Sequence, residues 1–171
     1  MLSKKMEKAL NAQINLEMFS AYTYLSMAAF FAEKNLDGFS NWMRLQFTEE
    51  LQHAGKLFDY LIDRDAKVTL SPIKAPAKTW QNIAAAVQAA YKAEVANTTQ
   101  INDIMDLAFK ERDHATRVML QWFIEEQVEE EASALKIVQQ VKLAGKDPSA
   151  IMLLDRELGA RQPAPEADPQ R

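Results

Sequence analysis

The chain contains no cysteine, which excludes disulfides and thiolate metal sites. Glycine is scarce, with four in 171 residues, and three of the six prolines fall in the last ten positions. So few breakers favour helix over a turn-rich all-β fold. No stretch approaches the ~18 consecutive apolar residues of a membrane span, so no membrane partner is expected. The N-terminal segment MLSKKMEKALNAQINLEMF lacks the apolar run of a signal peptide. The net charge is a mild −4 and there is no basic stripe, so nucleic acid is not an expected partner. A cytoplasmic location is the expectation. What remains is 48% hydrophobic and 26% charged, the balance of a soluble globular chain. Its length suits one domain with a sizeable core.

Apolar residues recur at helical spacing in four long segments. The first is predicted from about Ser3 to Lys34, with Leu10, Ile14, Ala21, Tyr24, Ala28 and Phe31 on one stripe that Glu17 interrupts. Asn35 could end it, and Asp37 could cap the next. The second runs from about Gly38 to Ala66 on Phe39, Met43, Phe47, Ala54, Leu57 and Leu61, interrupted by Glu50. KVTLSPIKAPAKT, residues 67–79, has two prolines and no helical period, so it reads as a loop. The third runs from about Trp80 to Lys110, with Thr79 as cap. Its stripe is Ile83, Val87, Ala90, Thr98, Ile101, Met105 and Ala108, interrupted by Glu94. The fourth starts near Asp113 and ends near Leu143, before Gly145. It carries Met119, Phe123, Ala134, Ile137 and Val141, interrupted by Gln127 and Glu130. A short fifth helix is predicted over about Pro148 to Leu158, with Asp147 as cap. One domain is expected over residues 1–160, with a disordered tail over 161–171.

Connection lengths select the topology. Two short links make antiparallel hairpins of helices one and two, and of three and four. The loop between the pairs, at ~3.3 Å per residue, reaches about 43 Å. The second helix, at 1.5 Å rise, is also about 43 Å long. The loop can therefore traverse the whole bundle. The expected fold is all-α: a four-helix bundle with one long crossover between helices two and three and a short fifth C-terminal helix.

Folding such a bundle brings the interrupting residues, Glu17, Glu50, Glu94, Gln127 and Glu130, to roughly one level inside it. His53, three residues after Glu50, lies at the edge of the same face. Buried carboxylates cost several kcal/mol unless paired, and no Lys or Arg sits near them on the stripes. Protonation or bound cations are the two remedies. Oxygen ligands with one nitrogen suit Fe, Mn or Zn, and four carboxylates suit two ions better than one. Glu50 and Glu130 are the bridge candidates. Glu49, Glu126 and Glu129 lie beside the stripes, as an outer cation site or a solvated acidic face, while Glu125 and Glu131 point further away. Tyr24 shares Glu17's face, where it could bond a ligand, donate an electron or simply pack. Trp122 reads as packing, and His114, in the first turn of the fourth helix, is too far from the others to be a ligand. An incidental polar layer is the bland alternative for the whole set.

The segments NLEMFSAYTYL, FTEELQHAGKL, AYKAEV and LQWFIEEQVEEE, in this order and spacing, resemble those of a non-haem bacterial ferritin over about residues 2–160. The resemblance implies the ferritin-like fold and an iron-storage protein with ferroxidase activity. Fe(II) would be oxidised by O2 or peroxide at a di-iron centre and kept as a ferric mineral inside a homo-oligomeric shell of 24 subunits. It assigns the first iron to Glu17, Glu50 and His53, and the second to Glu50, Glu94 and Glu130 with Gln127 nearby. It assigns a third iron to Glu49, Glu126, Glu129 and Glu130, and places Tyr24 beside the centre. Bacterioferritins fit less well. They carry a second Glu-x-x-His on the fourth helix, where this chain reads Gln127-Val128-Glu129-Glu130. They also bind haem through a methionine after the second helix's glutamate, where this chain has Leu51, so no haem is expected. Two other functions stay open. One is a di-iron or Mn/Fe oxidase for another substrate, although small stripe residues leave little room for a substrate pocket. The other is a non-catalytic helical scaffold.

Overall fold

The computed structural model describes residues 2–163. From residue 164 onward, the expected disordered tail lies outside the described residues. The elements are α1 (Lys4–Ala32), α2 (Asp37–Asp63), α3 (Ile83–Glu111), α4 (His114–Ala144) and α5 (Pro148–Gly159), with no strand among the described residues. The four-helix bundle with a short fifth helix is therefore present. No helix among the described residues is long and apolar enough to cross a membrane.

Most helix ends follow local chemistry. Ser3 caps α1 by accepting from the Met6 N–H, and its hydroxyl donates to Glu111 at 2.5 Å, tying the start of α1 to the end of α3. Asn35 takes the left-handed conformation (φ 56°) just after α1, which asparagine tolerates. Asp113 and Asp147 cap α4 and α5 as expected. Two caps differ. Asp37 is inside the first turn of α2, and the capping position falls to Leu36, with no side-chain bond. The third helix starts at Ile83 rather than Trp80, and Asn82 rather than Thr79 accepts from the Ala85 N–H. Trp80 is engaged elsewhere. Its ring packs edge-on against Phe30 of α1, at 5.3 Å, and anchors the end of the crossover.

Contacts along the helices fix their directions. Ser3 meets Glu111 and Gln13 meets Asn97, so α1 and α3 are antiparallel. Tyr60 meets Thr116 and Gln46 meets Glu130, so α2 and α4 are antiparallel. With α1–α2 and α3–α4 as hairpins, α2 and α3 run parallel. Residues 64–82 make the return trip along α1. Asn11, Asn15 and Ser26 donate to the carbonyls of Lys67, Ser71 and Ala77 at 2.9, 3.0 and 2.7 Å. Those side chains satisfy crossover carbonyls that no helix or sheet pairs.

Two apolar clusters fill the bundle, one around Phe31, Phe39, Trp42 and Ile137, the other around Leu10, Leu57, Ile101 and Phe123. The polar residues lie between them. Four predicted stripe positions are displaced by one residue. Gln46, Asn97, Ile104 and Leu120 are buried where Phe47, Thr98, Met105 and Met119 are half-buried. The helical repeat of 3.6 residues does not follow three- and four-residue steps over a whole helix.

The fifth helix docks on the start of α2. Asp155 accepts from the Phe39 N–H at 2.9 Å, and a Cβ on Gly38 would lie 1.6 Å from the Asp155 carbonyl oxygen. Only glycine permits that approach. Just past α5, Asn41 donates to the carbonyl of Arg161 at 3.3 Å.

Candidate metal centre

Glu17 from α1 meets Glu50 and His53 from α2 at mid-bundle. One ligand atom from each lies within 4.8 Å of the others, and the residues are 0%, 3% and 4% exposed. Glu50 and His53 share a face because they are three residues apart on one helix. The Glu50 Oε2 and His53 Nδ1 atoms are buried without a hydrogen-bond partner, 3.8 Å apart. Buried polar atoms are normally bonded, and a metal ion would satisfy both. The His53 ring is wedged edge-on against Trp122 (5.4 Å) and Phe123 (5.8 Å). Burial holds its pKa below the usual value and so favours neutral imidazole, the ligating form. Burial and then the charge of Glu17 push the Glu50 carboxyl well above the usual range. That environment favours the protonated carboxyl, and a cation could take the proton's place.

The α3–α4 hairpin supplies the other half. Burial raises the Glu94 carboxyl to about 7, and the hydrogen bonds of Tyr24 and Gln127 oppose that rise. The Tyr24 hydroxyl donates to Glu94 Oε1, and Gln127 Nε2 donates to Oε2 at 3.4 Å. Burial, followed by the charges of Glu94 and Glu49, raises Glu130 to about 8. Both acids are near enough to add to the rise at Glu50. Neither belongs to the close triad, and Glu130 Oε2 instead accepts from Gln46 Nε2 at 3.0 Å. The Tyr24 phenol is itself pushed up, by burial and then by the charges of Glu94 and Glu50.

Three buried amides complete this layer, and reading apolar stripes does not find them. Gln13 donates to Glu17 at 2.7 Å and to Asn97 at 2.6 Å. Asn97 donates to Glu17 at 3.2 Å and to the side-chain Oε1 of Gln127 at 3.5 Å. Gln46 bonds both Glu49 and Glu130. Their signal is positional: Gln13, Gln46 and Asn97 each lie one helical turn from Glu17, Glu50 or Glu94.

The outer acids occupy a different setting. Glu49, Glu126, Glu129 and Glu130 line one open cleft, together with Ser133 and Arg161. Among the described residues they do not converge as the inner triad does. Glu49 is raised by burial and by Glu126, and Glu126 by burial and by Glu129. Arg161 donates to the Ser133 hydroxyl at 3.3 Å and opposes the rise at Glu49. Glu129 and Glu125 are exposed, whereas Glu131 is half-buried. His114 is exposed in the first turn of α4, beside Arg117 and away from the centre.

Comparisons with known proteins agree with this architecture. Residues 7–144 match the model of the ferritin-like domain. The bacterial non-heme ferritin of Staphylococcus epidermidis is 36% identical over 161 residues, covering 94% of this chain and 97% of that one. A probable bacterial non-heme ferritin-like protein of Haemophilus influenzae is 34% identical over 159 residues, covering 93% and 96%. Among solved structures, an open pore ferritin of the hyperthermophilic archaeon Archaeoglobus fulgidus superposes with a TM-score of 0.94 at 48% identity, covering 95% of this chain and all of that one. With a family model matched along most of its length and relatives aligned along nearly all of it, this chain belongs to the ferritin-like family.

Proposed function

We propose that this protein stores iron in the cytoplasm as a ferroxidase. In this reading it oxidises Fe(II) with O2 or peroxide at paired sites inside each subunit, and 24 subunits enclose the ferric mineral. The observation that carries the reading is the buried triad of Glu17, Glu50 and His53, where Glu50 Oε2 and His53 Nδ1 have no hydrogen-bond partner and ask for a cation. The relatives named as ferritins support the storage role. The close superposition on an archaeal ferritin supports the shell. So do large apolar side chains left on the surface of the single chain, such as Leu143 and Val118, 89% and 75% exposed.

The residues take these roles. Glu17, Glu50 and His53 hold the first Fe(II), and Glu50, Glu94 and Glu130 hold the second, with Gln127 beside it. Two Fe(II) each give one electron to O2, which takes up two protons and leaves as hydrogen peroxide. Carboxylate ligands favour Fe(III) because the harder, more highly charged ion gains more from them. Tyr24 fixes the orientation of Glu94 through its hydroxyl. Gln127 adds no charge, so the second position holds Fe(III) less tightly than a further carboxylate would. The product can then pass to the outer acids Glu49, Glu126 and Glu129, which form a third site or exit path.

The test is turnover. Well over two Fe(II) per subunit, added in air, should all be oxidised and remain soluble as mineral. Oxidation that stops at two per subunit would sink storage and favour an oxidase for another substrate. Size-exclusion chromatography should place the assembly near about 470 kDa, 24 subunits of 19.4 kDa. A metal titration without stoichiometric Fe(II) or Zn(II) binding would leave only a helical scaffold.

A further inference from the structure

Gln46 is 6% exposed on α2, one turn before Glu50, and its amide oxygen and both amide hydrogens are engaged. Trp42 Nε1 lies 3.0 Å from its Oε1. An indole N–H only donates, so the atom facing it must be the amide oxygen. That sets the amide's orientation. The NH2 group must then face the other way. Its two hydrogens go to Glu49 Oε2 at 2.5 Å and Glu130 Oε2 at 3.0 Å. One amide thus joins an acid of the outer cleft to an acid of the inner centre. It also accounts for a gap: Glu130 stands outside the close triad of Glu17, Glu50 and His53.

We propose that Gln46, oriented by Trp42, is a positioning residue that holds Glu130 at the boundary between the inner centre and the outer cleft, so that the Glu130 oxygen facing the amide ligates an inner ion only by giving up the Gln46 amide. This rests on the reading of the inner acids as a two-ion centre. Hydrogen bonds to charged groups are the stronger kind, so exchanging one for a metal weakens the second inner position relative to the first. The first position, built from residues that Gln46 does not touch, is unaffected. The same amide draws Glu130 back toward Glu49 when the ion leaves, giving the product a direction of travel. Binding inside and binding outside then compete for one carboxylate, and the coupling is reciprocal.

Gln46→Met keeps volume and removes both donors. Co(II), whose visible absorption reports coordination without oxidation, is titrated into the full-length protein stripped of metal. The second Co(II) per subunit should bind about tenfold more tightly than in wild type, the scale of one hydrogen bond to a charged group. The first should bind as before. In air, oxidation of the first two Fe(II) per subunit, which needs both positions filled, should be no slower than in wild type. Recovery of the fast phase on a second addition should slow by about tenfold. Trp42→Phe retains Gln46 but frees its amide to turn, and should move both quantities in the same direction by less. If neither variant changes the second Co(II) or the recovery, the role of Gln46 is refuted and the two-ion centre stands. If both ions weaken together with a lower melting temperature, Gln46 is structural and the proposal fails. If wild type itself binds no more than one Co(II) per subunit, the two-ion reading falls and takes this role with it.

Discussion

The inner centre and the outer cleft are built from the same residue type within one stretch of α4, yet they pose opposite problems. Glu50 is buried, with an oxygen that nothing bonds. Glu129, one residue from Glu130, is exposed and hydrated. Outside, acids can repel one another mildly and wait, and Arg161 sits among them as a resident counter-charge. Inside, burial first, and then the charge of Glu17, drives the Glu50 carboxyl toward protonation. Burial, more than the number of charges, decides which acids demand an ion and which merely tolerate one.

The contrast breaks most visibly at the inner ligands. Replacing Glu50 and His53 together with Ala should cut the initial Fe(II) oxidation rate more than about a hundredfold, since even partners outside the ligand shell can cost about 10–100-fold. The melting temperature of the metal-free variant should stay level or rise, because unpaired buried groups are removed. Unfolding would mean that these residues stabilise the bundle rather than bind substrate.

Acidity offers the next largest test. Glu94 and Glu130 carry folded values of about 7 and about 8, and Glu50 is also raised. Their unfolded values are ordinary, so the folded state binds more protons between pH about 5 and about 8. The stability these groups contribute is complete below the unfolded range and is lost as pH rises through the folded values. The metal-free protein should therefore lose at least about 2 kcal/mol over that window. Zn(II), which needs ionised ligands, should stabilise more as pH rises. A flat melting curve against pH would mean the inner acids are hydrated after all.

Smaller effects belong to the cleft. Replacing Glu126 and Glu129 with Ala should leave the first two Fe(II) per subunit oxidising within about twofold of wild type, and slow sustained turnover about tenfold. Equal loss in both phases would merge the two sites into one. Arg161→Gln should raise the cleft's affinity for Mn(II) only about threefold, the scale of one exposed ion pair. No change would remove Arg161 from the account of the cleft.

Much of this contrast was legible in the sequence, for a physical reason. A carboxylate on an apolar stripe announces itself by breaking a period, and Glu17, Glu50, Glu94 and Glu130 each do so. Helix ends with side-chain caps, such as Asp113 and Asp147, are equally local. Gln46, Gln13 and Asn97 were harder to read. An amide among polar neighbours looks like surface until a second helix covers it. Arg161 was out of reach for a different reason. Its position depends on α5 docking at Gly38, a contact set by backbone approach with no side-chain pattern to betray it. The start of α3 was missed because Trp80 helps itself to a partner on α1.

The crossover has a consequence for how the centre is divided. Residues 64–82 separate one hairpin bearing Glu17, Glu50 and His53 from another bearing Glu94, Gln127 and Glu130. Much of this strap is exposed, and three side chains of α1 bond its carbonyls from below. A protease nick there would leave two fragments, each with half of the proposed ligand set, and nothing covalent between them. Ions that bind only the joined form would hold the fragments together by mass action. On the proposed function the centre is thus also a clasp, and an iron held there is, for a moment, the pin.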